Sequence, residues 1–188
     1  MSDFRFEGPA HVYGDNVDTD VIIPARYLTA TEPAELAKFC LEDLDPGFVG
    51  RVRAGDVIVA GRNFGSGSSR EHAPLAIKGA GVACVVAASF ARIFFRNAIN
   101  VGLPIVECPG AADGAETGDS YRVDLEAGVV ENVSRGTHLE ATPLPDFMQD
   151  ILRAGGLMPW VKRRLGDGGG VRVGVAQNEP VQADWRMD

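Results

Sequence analysis

Three short apolar runs alternate with helical patterns, and this alternation constrains the fold more than any other feature of the sequence. The runs are residues 56–60 (DVIVA), 82–87 (VACVVA) and 103–107 (LPIVE), and all three contain β-branched side chains. Such runs are typical of strands that a sheet buries on both faces. Residues 70–79 and 89–101 have helical patterns, so the chain repeats the βαβ unit of parallel sheets. The sequence therefore predicts an α/β fold of three layers, with a mainly parallel sheet and helices on both faces.

The rest of the chain predicts further elements and one domain boundary. In chain order these are an edge strand at 4–13, a helix at 31–41, a hairpin at 121–125 and 129–133, and helices at 146–154 and 158–165. A chain of 188 residues is long enough to bury a sizeable core in one domain. Because the final residues are mostly polar, we expect a domain over residues 1–165 and a flexible tail over residues 166–188.

Charge and apolar content argue against two classes of partner. The sequence has 26 acidic and 18 basic residues, a net charge of -8, and no block rich in lysine or arginine. A nucleic-acid-binding domain normally carries a basic patch, so we expect no nucleic-acid partner. The longest apolar stretch, residues 82–88, is far shorter than the roughly 20 residues that span a bilayer, so we expect no membrane partner.

The cysteines and the first residues indicate a reducing compartment. Cys40, Cys84 and Cys108 are odd in number and widely spaced, which is typical of free thiols and does not match a structural zinc site. The sequence begins MSDFR, without the basic and apolar regions of a signal peptide. We therefore expect a cytoplasmic protein.

The glycine-rich segment at residues 65–72 (GSGSSREH) is the strongest indication of chemistry. It follows a predicted buried strand and opens a predicted helix, whose free N–H groups and dipole favour anions. Its glycines allow the backbone to approach a ligand closely, and Arg70 can bind a carboxylate through two hydrogen bonds. Ser68 and Ser69 add hydroxyl groups. The segment predicts an anion-binding loop that also offers a nucleophile or base.

A simpler interpretation of the same residues stays open. The spacing Ser68-x-x-Glu71 is that of a capping box, and many helices begin this way without binding any ligand. The segment lacks the Gly-Lys-Ser/Thr of phosphate loops and the third glycine of dinucleotide-binding loops. A small anion-binding module without catalysis is therefore an alternative, with Ser68 serving only as a cap.

Three segments, in this order along the chain, carry a resemblance to a known family. Residues 14–20 (GDNVDTD), 63–74 (NFGSGSSREHAP) and 89–100 (SFARIFFRNAIN) resemble signature segments of the swivelling domain of the aconitase superfamily. The resemblance covers residues 8–110 and extends to about residue 165. At this length the chain resembles the small subunits of 3-isopropylmalate dehydratases, and residues 35–43 resemble the shorter type shared with homoaconitase small subunits.

The resemblance implies a hydro-lyase that moves a hydroxyl group between neighbouring carbons of a hydroxy-diacid. In such enzymes a [4Fe–4S] cluster acts as a Lewis acid, and clustered cysteine thiolates bind it. This chain lacks such a cysteine cluster, so the resemblance implies a cluster-bearing large subunit as its partner, in a heterodimer or larger assembly. No cofactor or metal ligand is expected from this chain itself. Ser68 would be the catalytic base, and Ser69 and Arg70 would bind a substrate carboxylate.

The residue after Tyr27 and Leu28 bears on the substrate. Homoaconitase-like members of the family have an arginine at the position of Thr29, where it can pair with an additional substrate carboxylate. A neutral Thr29 suits a branched apolar substituent, because an unpaired carboxylate would be costly to desolvate. This favours isopropylmalate in leucine biosynthesis. Homoaconitase remains an alternative, because Thr29 can be merely a loop residue while Arg26 nearby supplies the positive charge, and a dehydratase of methylated malates is a second alternative.

Other residues give weaker indications. Arg92 and Arg96 share one face of a predicted helix, which is typical of a solvated face and compatible with a subunit contact. Asp18 and Asp20 lie in a turn-rich segment, so we expect a turn role for them. His72 has no second histidine or cysteine at metal-binding spacing, and we expect it on a helix surface.

Overall fold

The computed structural model describes residues 4–166 of the protein. Within this range, the chain forms one sheet of seven strands and seven α-helices. The strands are β1 (Arg5–Tyr13), β2 (Val57–Ala60), β3 (Cys84–Ala87), β4 (Ile105–Glu107), β5 (Ser120–Asp124), β6 (Val129–Asn132) and β7 (Thr137–Glu140). The helices are α1 (Thr19–Ile22), α2 (Pro33–Leu36), α3 (Phe48–Arg51), α4 (His72–Gly79), α5 (Arg92–Val101), α6 (Asp146–Arg153) and α7 (Leu157–Gly166). Among these described helices, none has the length and apolar content needed to cross a membrane.

The strand order is β4-β3-β2-β1-β5-β6-β7, with a parallel half and an antiparallel half. In the parallel half, β2 and β3 are buried along their whole length, as the apolar runs predict. Helices α4 and α5 connect β2 to β3 and β3 to β4. The predicted α/β class and its βαβ units are confirmed.

Strand β1 joins the two halves, so the prediction of an edge strand at 4–13 is wrong. Residues Arg5 to Pro9 pair antiparallel with β5, and residues Ala10 to Tyr13 pair parallel with β2. Each part of β1 thus has one ladder partner, which explains its mixed, edge-like composition. Pro9 has no N–H to donate, and it stands at the point where the pairing changes sides. A Cβ on the preceding Gly8 would lie 2.5 Å from the Gly55 oxygen, so only glycine allows this approach.

The helix predicted at 31–41 is much shorter in the structure. Helix α2 ends at Leu36, a single 3₁₀ turn follows at Ala37–Phe39, and Glu32 rather than Thr31 precedes the first turn. The chain leaves the helix because Leu41 has a positive φ of 59° and donates its N–H to the Ile22 oxygen at 2.8 Å. Leu41 is fully buried, so tertiary packing overrides the local helical pattern.

The antiparallel half confirms the predicted hairpin and adds a strand that the sequence did not indicate. Strands β5 and β6 pair in register from Tyr121 with Asn132 to Asp124 with Val129. Strand β7 then pairs with β6 and is largely exposed and polar, so it has no apolar alternation to mark it. Short polar edge strands of this kind protect a sheet from pairing with other chains.

The two predicted C-terminal helices are confirmed as α6 and α7. Both helices pack against α5. Helix α5 ends at Gly102, which has a left-handed φ of 75°. A Cβ on Gly102 would lie 2.4 Å from the Gly155 oxygen, so the two backbones approach closely here. The ammonium group of Lys78 on α4 also connects to the end of α5, because it donates a hydrogen bond to the Val101 oxygen at 2.6 Å. The predicted tail lies outside the described residues apart from its first residue, and the domain limits stay a prediction.

A buried polar pair connects β1 to the residue that precedes β2. His11 Nε2 and Asp56 Oδ2 are 2.8 Å apart, and both side chains are buried. The same Asp56 oxygen accepts the Arg53 N–H at 2.9 Å, and the His11 ring packs edge-on against Phe48. Removing one member of such a pair leaves the other buried without a partner.

We predict that Asp56→Ala lowers the free energy of unfolding by about 3 kcal/mol, because His11 and the Arg53 amide lose a buried acceptor. Urea denaturation followed by circular dichroism measures this difference. Asp113→Ala is the matched control, because Asp113 is exposed and forms no ion pair within residues 4–166. A loss below about 1 kcal/mol for Asp56→Ala would contradict this role for the pair.

Candidate active site

The candidate site lies where β1, β2 and β3 end, at the carboxyl edge of the parallel half. Beyond the strands, the ladder continues through two isolated parallel bridges, Asp18 with Ser66 and Phe64 with Phe90. The bridges bring together the segments that follow the three strands, which are the three segments singled out in the sequence. In open α/β sheets, ligands bind at this edge.

Hydrogen bonds from the first of these segments hold the glycine-rich loop in place. The Gly65 N–H donates to the Val17 oxygen, and the Thr19 N–H donates to the Ser66 oxygen, both at 2.7 Å. The buried Thr19 hydroxyl also donates to the Ser68 carbonyl at 3.2 Å. The backbone at Ser68 is therefore fixed while its side chain stays free.

Two glycines of the loop occupy positions that side chains would not fit. Gly65 has a φ of +77°, and a Cβ there would lie 2.1 Å from Phe94 Cγ. Gly67 has a φ of +92°, and a Cβ there would lie 2.4 Å from an Asp18 carboxylate oxygen. Each glycine thus combines a left-handed backbone with a close approach, which is the situation that only glycine tolerates.

The serine hydroxyls are available for a ligand, and the predicted capping box does not form. Glu71, not Ser68, is the residue before the first turn of α4, and no side chain caps this helix. Ser68 and Ser69 are exposed, and within residues 4–166 their hydroxyls form no hydrogen bond. In the same range, the backbone N–H groups from Ser68 to His72 donate to no protein acceptor. The loop therefore presents free donors at the positive end of a helix.

Arg70 is held by an ion pair that sequence reasoning missed. Its mostly buried side chain contacts the Asp20 carboxylate and also donates to the Ile23 oxygen at 3.4 Å. Asp18 has the turn role expected for both aspartates, since its side chain accepts the Asp20 N–H at 2.7 Å. No local pattern marks Asp20 as a partner of Arg70, because their proximity arises only from the pairing of the two loops.

Arg92 and Arg96 line a depression beside the glycine-rich loop, which the sequence did not reveal. An open depression of about 570 Å³ adjoins the loop, and its wall is formed by Asn63, Gly65, Gly67, Phe90, Ala91, Arg92, Ile93 and Arg96. Both arginines are exposed. The helical spacing placed them on one face correctly, but only the packing of Phe94 on Gly65 brings that helix to the loop.

Thr29 lies in an exposed turn after the 3₁₀ turn at Ala25–Tyr27, and it forms no hydrogen bond with the loop. Arg26 is engaged elsewhere, because its guanidinium donates two hydrogen bonds to Asp43, at 2.6 and 3.1 Å, and lies 3.5 Å from Glu42. In this structure the guanidinium of Arg26 is therefore engaged by acids at the surface. The role of Thr29 in substrate choice stays a prediction.

The thiols of the chain do not fit an iron–sulfur cluster. All three cysteines are buried at separate places in the fold: Cys84 begins β3, Cys40 follows the 3₁₀ turn at Ala37–Phe39, and Cys108 follows β4. Burial raises the pKa of the Cys108 thiol to about 11 and also raises the pKa of the other two thiols, which disfavours the thiolate that binds metals. In the part of the chain that the structure describes, no cluster of His, Cys, Asp and Glu is suited to a metal ion, and this includes His72.

Comparison with known proteins agrees with this geometry. Residues 50–109, which include β2, the loop, α4, β3 and α5, match the family model of the aconitase C-terminal domain. The fold and the serine loop thus define an aconitase-type swivelling domain. The crystal structure of 3-isopropylmalate dehydratase from Methanocaldococcus jannaschii has a TM-score of 0.82 and 44% identity, over 87% of this chain and 97% of that one.

Curated relatives specify the family further. The 3-isopropylmalate dehydratase small subunit of Caldicellulosiruptor saccharolyticus is 63% identical over 160 residues, 85% of this chain and 92% of that protein. The small subunit 1 of Methanopyrus kandleri is 62% identical over 156 residues, 83% of this chain and 92% of its own length. The chain belongs to the family of 3-isopropylmalate dehydratase small subunits. This confirms the family and the dehydratase-subunit function expected from the three sequence segments.

We predict that Thr19→Val lowers the free energy of unfolding by about 1 kcal/mol, because the variant keeps the shape of Thr19 and loses its hydrogen bond to Ser68. Amide hydrogen exchange should accelerate in the loop around Ser68 and stay unchanged in β5 and β6. Thr137→Val is the control, because Thr137 is exposed and its hydroxyl forms no hydrogen bond in residues 4–166. Unchanged exchange in the loop would show that Thr19 does not hold it.

Proposed function

We propose that this chain supplies the proton-transfer and carboxylate-binding groups of an enzyme that interconverts 2-isopropylmalate and 3-isopropylmalate. The reaction is a dehydration followed by a rehydration, and it belongs to leucine biosynthesis. The observation that carries the proposal is the Ser68 side chain, which is free at a loop whose backbone is fixed. It adjoins Arg70, the arginine that Asp20 anchors. Membership in the small-subunit family supports the same reaction.

Arg70, with the Ser69 hydroxyl, is assigned to one substrate carboxylate. The contacts with Asp20 and the Ile23 oxygen both involve Arg70 Nη1, so other N–H groups of the guanidinium remain for a ligand. Because the side chain is already held, binding a carboxylate costs little further rotamer entropy. Charge-assisted hydrogen bonds from guanidinium to carboxylate are among the stronger ones in proteins.

Ser68 is assigned the role of catalytic base. Dehydration requires removal of the proton from the carbon next to the one that carries the hydroxyl group, and rehydration returns a proton. A free serine hydroxyl is a weak base, so its oxyanion must be stabilised. The unpaired N–H groups at the start of α4, the helix dipole and Arg70 all favour negative charge at this place. Ser68 Oγ therefore accepts the proton in one direction and returns it in the other.

Departure of the hydroxyl group requires an acid that the described residues of this chain do not provide. We assign it to a [4Fe–4S] cluster held by a large subunit, which supplies Lewis acidity when bound. The buried, scattered thiols of this chain support that assignment. The chain is then active only in complex with its large subunit. Free thiols also support placing the complex in the reducing cytoplasm.

Thr29 is assigned to the surroundings of the substrate's isopropyl group. It is uncharged, and the nearest arginine in sequence, Arg26, is paired with Asp43. An extra substrate carboxylate would therefore find no partner at this turn and would lose its hydration without compensation. An apolar branch avoids that cost, which favours isopropylmalate over homocitrate-type substrates.

We predict that Ser68→Ala lowers kcat of the reconstituted two-subunit enzyme by about 10²- to 10⁴-fold, because general base catalysis contributes that much. Complex formation and thermal stability should stay unchanged, since the Ser68 side chain forms no hydrogen bond within residues 4–166. The measurement is an anaerobic assay with 2- and 3-isopropylmalate. Ser66→Ala is the control from the same loop and should retain activity, because Ser66 takes part through its backbone.

Two outcomes would contradict the assignment of Ser68. Retention of full kcat in Ser68→Ala would exclude Ser68 as the base. Absence of activity in the wild-type complex would instead indicate an anion-binding module without catalysis.

We predict that Thr29→Arg shifts the ratio of kcat/KM values toward homocitrate-type substrates by at least about tenfold, because the new guanidinium pairs with the additional carboxylate. The assay compares isopropylmalate, homocitrate and dimethylmalate with the same enzyme preparation. Thr31→Arg adds the same charge at a second exposed position and should leave the ratio unchanged. Full retention of isopropyl selectivity in Thr29→Arg would show that this turn does not face the substrate.

A further inference from the structure

Helix α5 presents two arginines that have no partner in the described part of the chain. Each of the remaining arginines between Arg5 and Arg153 has a partner. Arg53 donates to backbone carbonyls, and all the others form an ion pair with an acid. Arg92 and Arg96 have neither kind of partner within residues 4–166. Arg163 on α7 also lacks an acidic partner in this range, so what sets Arg92 and Arg96 apart is that they line the depression beside the loop, on a chain whose net charge is -8.

The position of these arginines in the helix raises the local positive charge. Arg92 is the first residue of α5, Arg96 follows one turn later, and the first turn contains no acidic residue. No side chain caps the helix, since the preceding residue is Ala91. Positive side chains near a helix N-terminus and like charges four residues apart are both unfavourable. The folded chain therefore carries an uncompensated positive site that an anionic partner would stabilise.

An exposed aliphatic side chain lies in the same stretch of helix as the two charges. Ile93 is 47% exposed and lines the depression together with Arg92 and Arg96. Arginine is enriched in protein interfaces, and the buried centre of an interface is more apolar than the rest of the surface, so arginines beside an exposed apolar side chain are compatible with an interface. Isopropylmalate also combines carboxylates with an apolar branch, so the experiments below measure KM together with the dissociation constant of the complex.

The location of the surface indicates which protein it meets. The depression is also lined by Gly65 and Gly67, directly before Ser68 in the loop. In the proposed function, a large subunit must bring its cluster within reach of Ser68. The large subunit must then also contact the surface beside the loop, where Arg92, Ile93 and Arg96 are exposed.

We infer that Arg92, Ile93 and Arg96 of α5 form a docking surface for the large subunit, and that the matching surface offers carboxylate side chains to both arginines. This inference rests on the proposed function, because the large subunit is its occupant. The contact neutralises the start of α5 and covers Ile93. It also fixes the small subunit so that the serine loop faces the partner.

The test measures the dissociation constant of the complex with the large subunit from the same organism, anaerobically and without substrate. Each of Arg92→Gln and Arg96→Gln should weaken binding about tenfold or more, and the double charge reversal R92E/R96E roughly a hundredfold or more. Rising ionic strength should weaken the wild-type complex more than the double variant. Arg163→Glu is the matched control, because Arg163 is exposed on α7 and has no acidic partner in residues 4–166.

A second measurement uses a photo-cross-linking amino acid in place of Ile93. It should form a covalent adduct with the large subunit, whereas the same group in place of Val133 should not. Val133 is 40% exposed and directly follows β6 in the antiparallel half. The adduct at Ile93 should disappear when the R92E/R96E changes are combined with it.

The possible results separate this inference from the proposed function. Wild-type affinity in R92E/R96E, or no adduct at position 93, would overturn the docking surface while an active complex kept the proposed function intact. An unchanged dissociation constant with a raised KM would assign the arginines to substrate and also overturn it. A wild-type chain that forms no complex would contradict the proposed function and the docking surface together.

Discussion

Backbone pairing beyond the ends of β1, β2 and β3 is the constraint on which the rest of the site depends. In most sheets the backbone pairing stops where the strands end, but here single bridges continue it and join Asp18 to Ser66 and Phe64 to Phe90. The loops are therefore ordered side by side like the strands that precede them. Two glycines are required at the points of closest approach, and the serine hydroxyls stay uncommitted because the main chain bears the structural contacts.

Charge is distributed unevenly over this acidic chain, with arginines left free beside the glycine-rich loop. On the antiparallel half, pairs such as Arg122 with Glu7 cancel one another. At the edge formed by the parallel strand ends, free N–H groups, Arg70 and the first turn of α5 together favour negative groups. If the proposed function and docking surface hold, an acidic protein binds an acidic substrate and an acidic partner surface because local charge outweighs net charge at short range.

Sequence patterns predicted what depends on neighbours in the chain and missed what depends on contacts across it. The buried strands and the glycine-rich loop at the start of α4 follow from local composition, and three ordered segments were enough to indicate the family. The capping-box alternative fails because α4 begins at His72, so that Glu71 and not Ser68 stands at the N-cap position. The pair of Asp20 with Arg70 could not be inferred, because the two residues meet only through loop pairing. The role of β1 was missed because no local signal marks a strand that changes partner along its length.

Because β1 changes partner along its length, its two halves can pair at different times while the ribosome synthesises the chain. The second half of β1 can complete its ladder once β2 has emerged, whereas the first half must wait for β5, which lies more than half the chain further on. During that interval the N-terminal residues form an unpaired strand edge, the kind of surface through which nascent chains associate wrongly. Charged residues alternate along this half, and Arg5 and Glu7 both face solvent. Their side chains therefore keep the edge hydrated until β5 pairs with it.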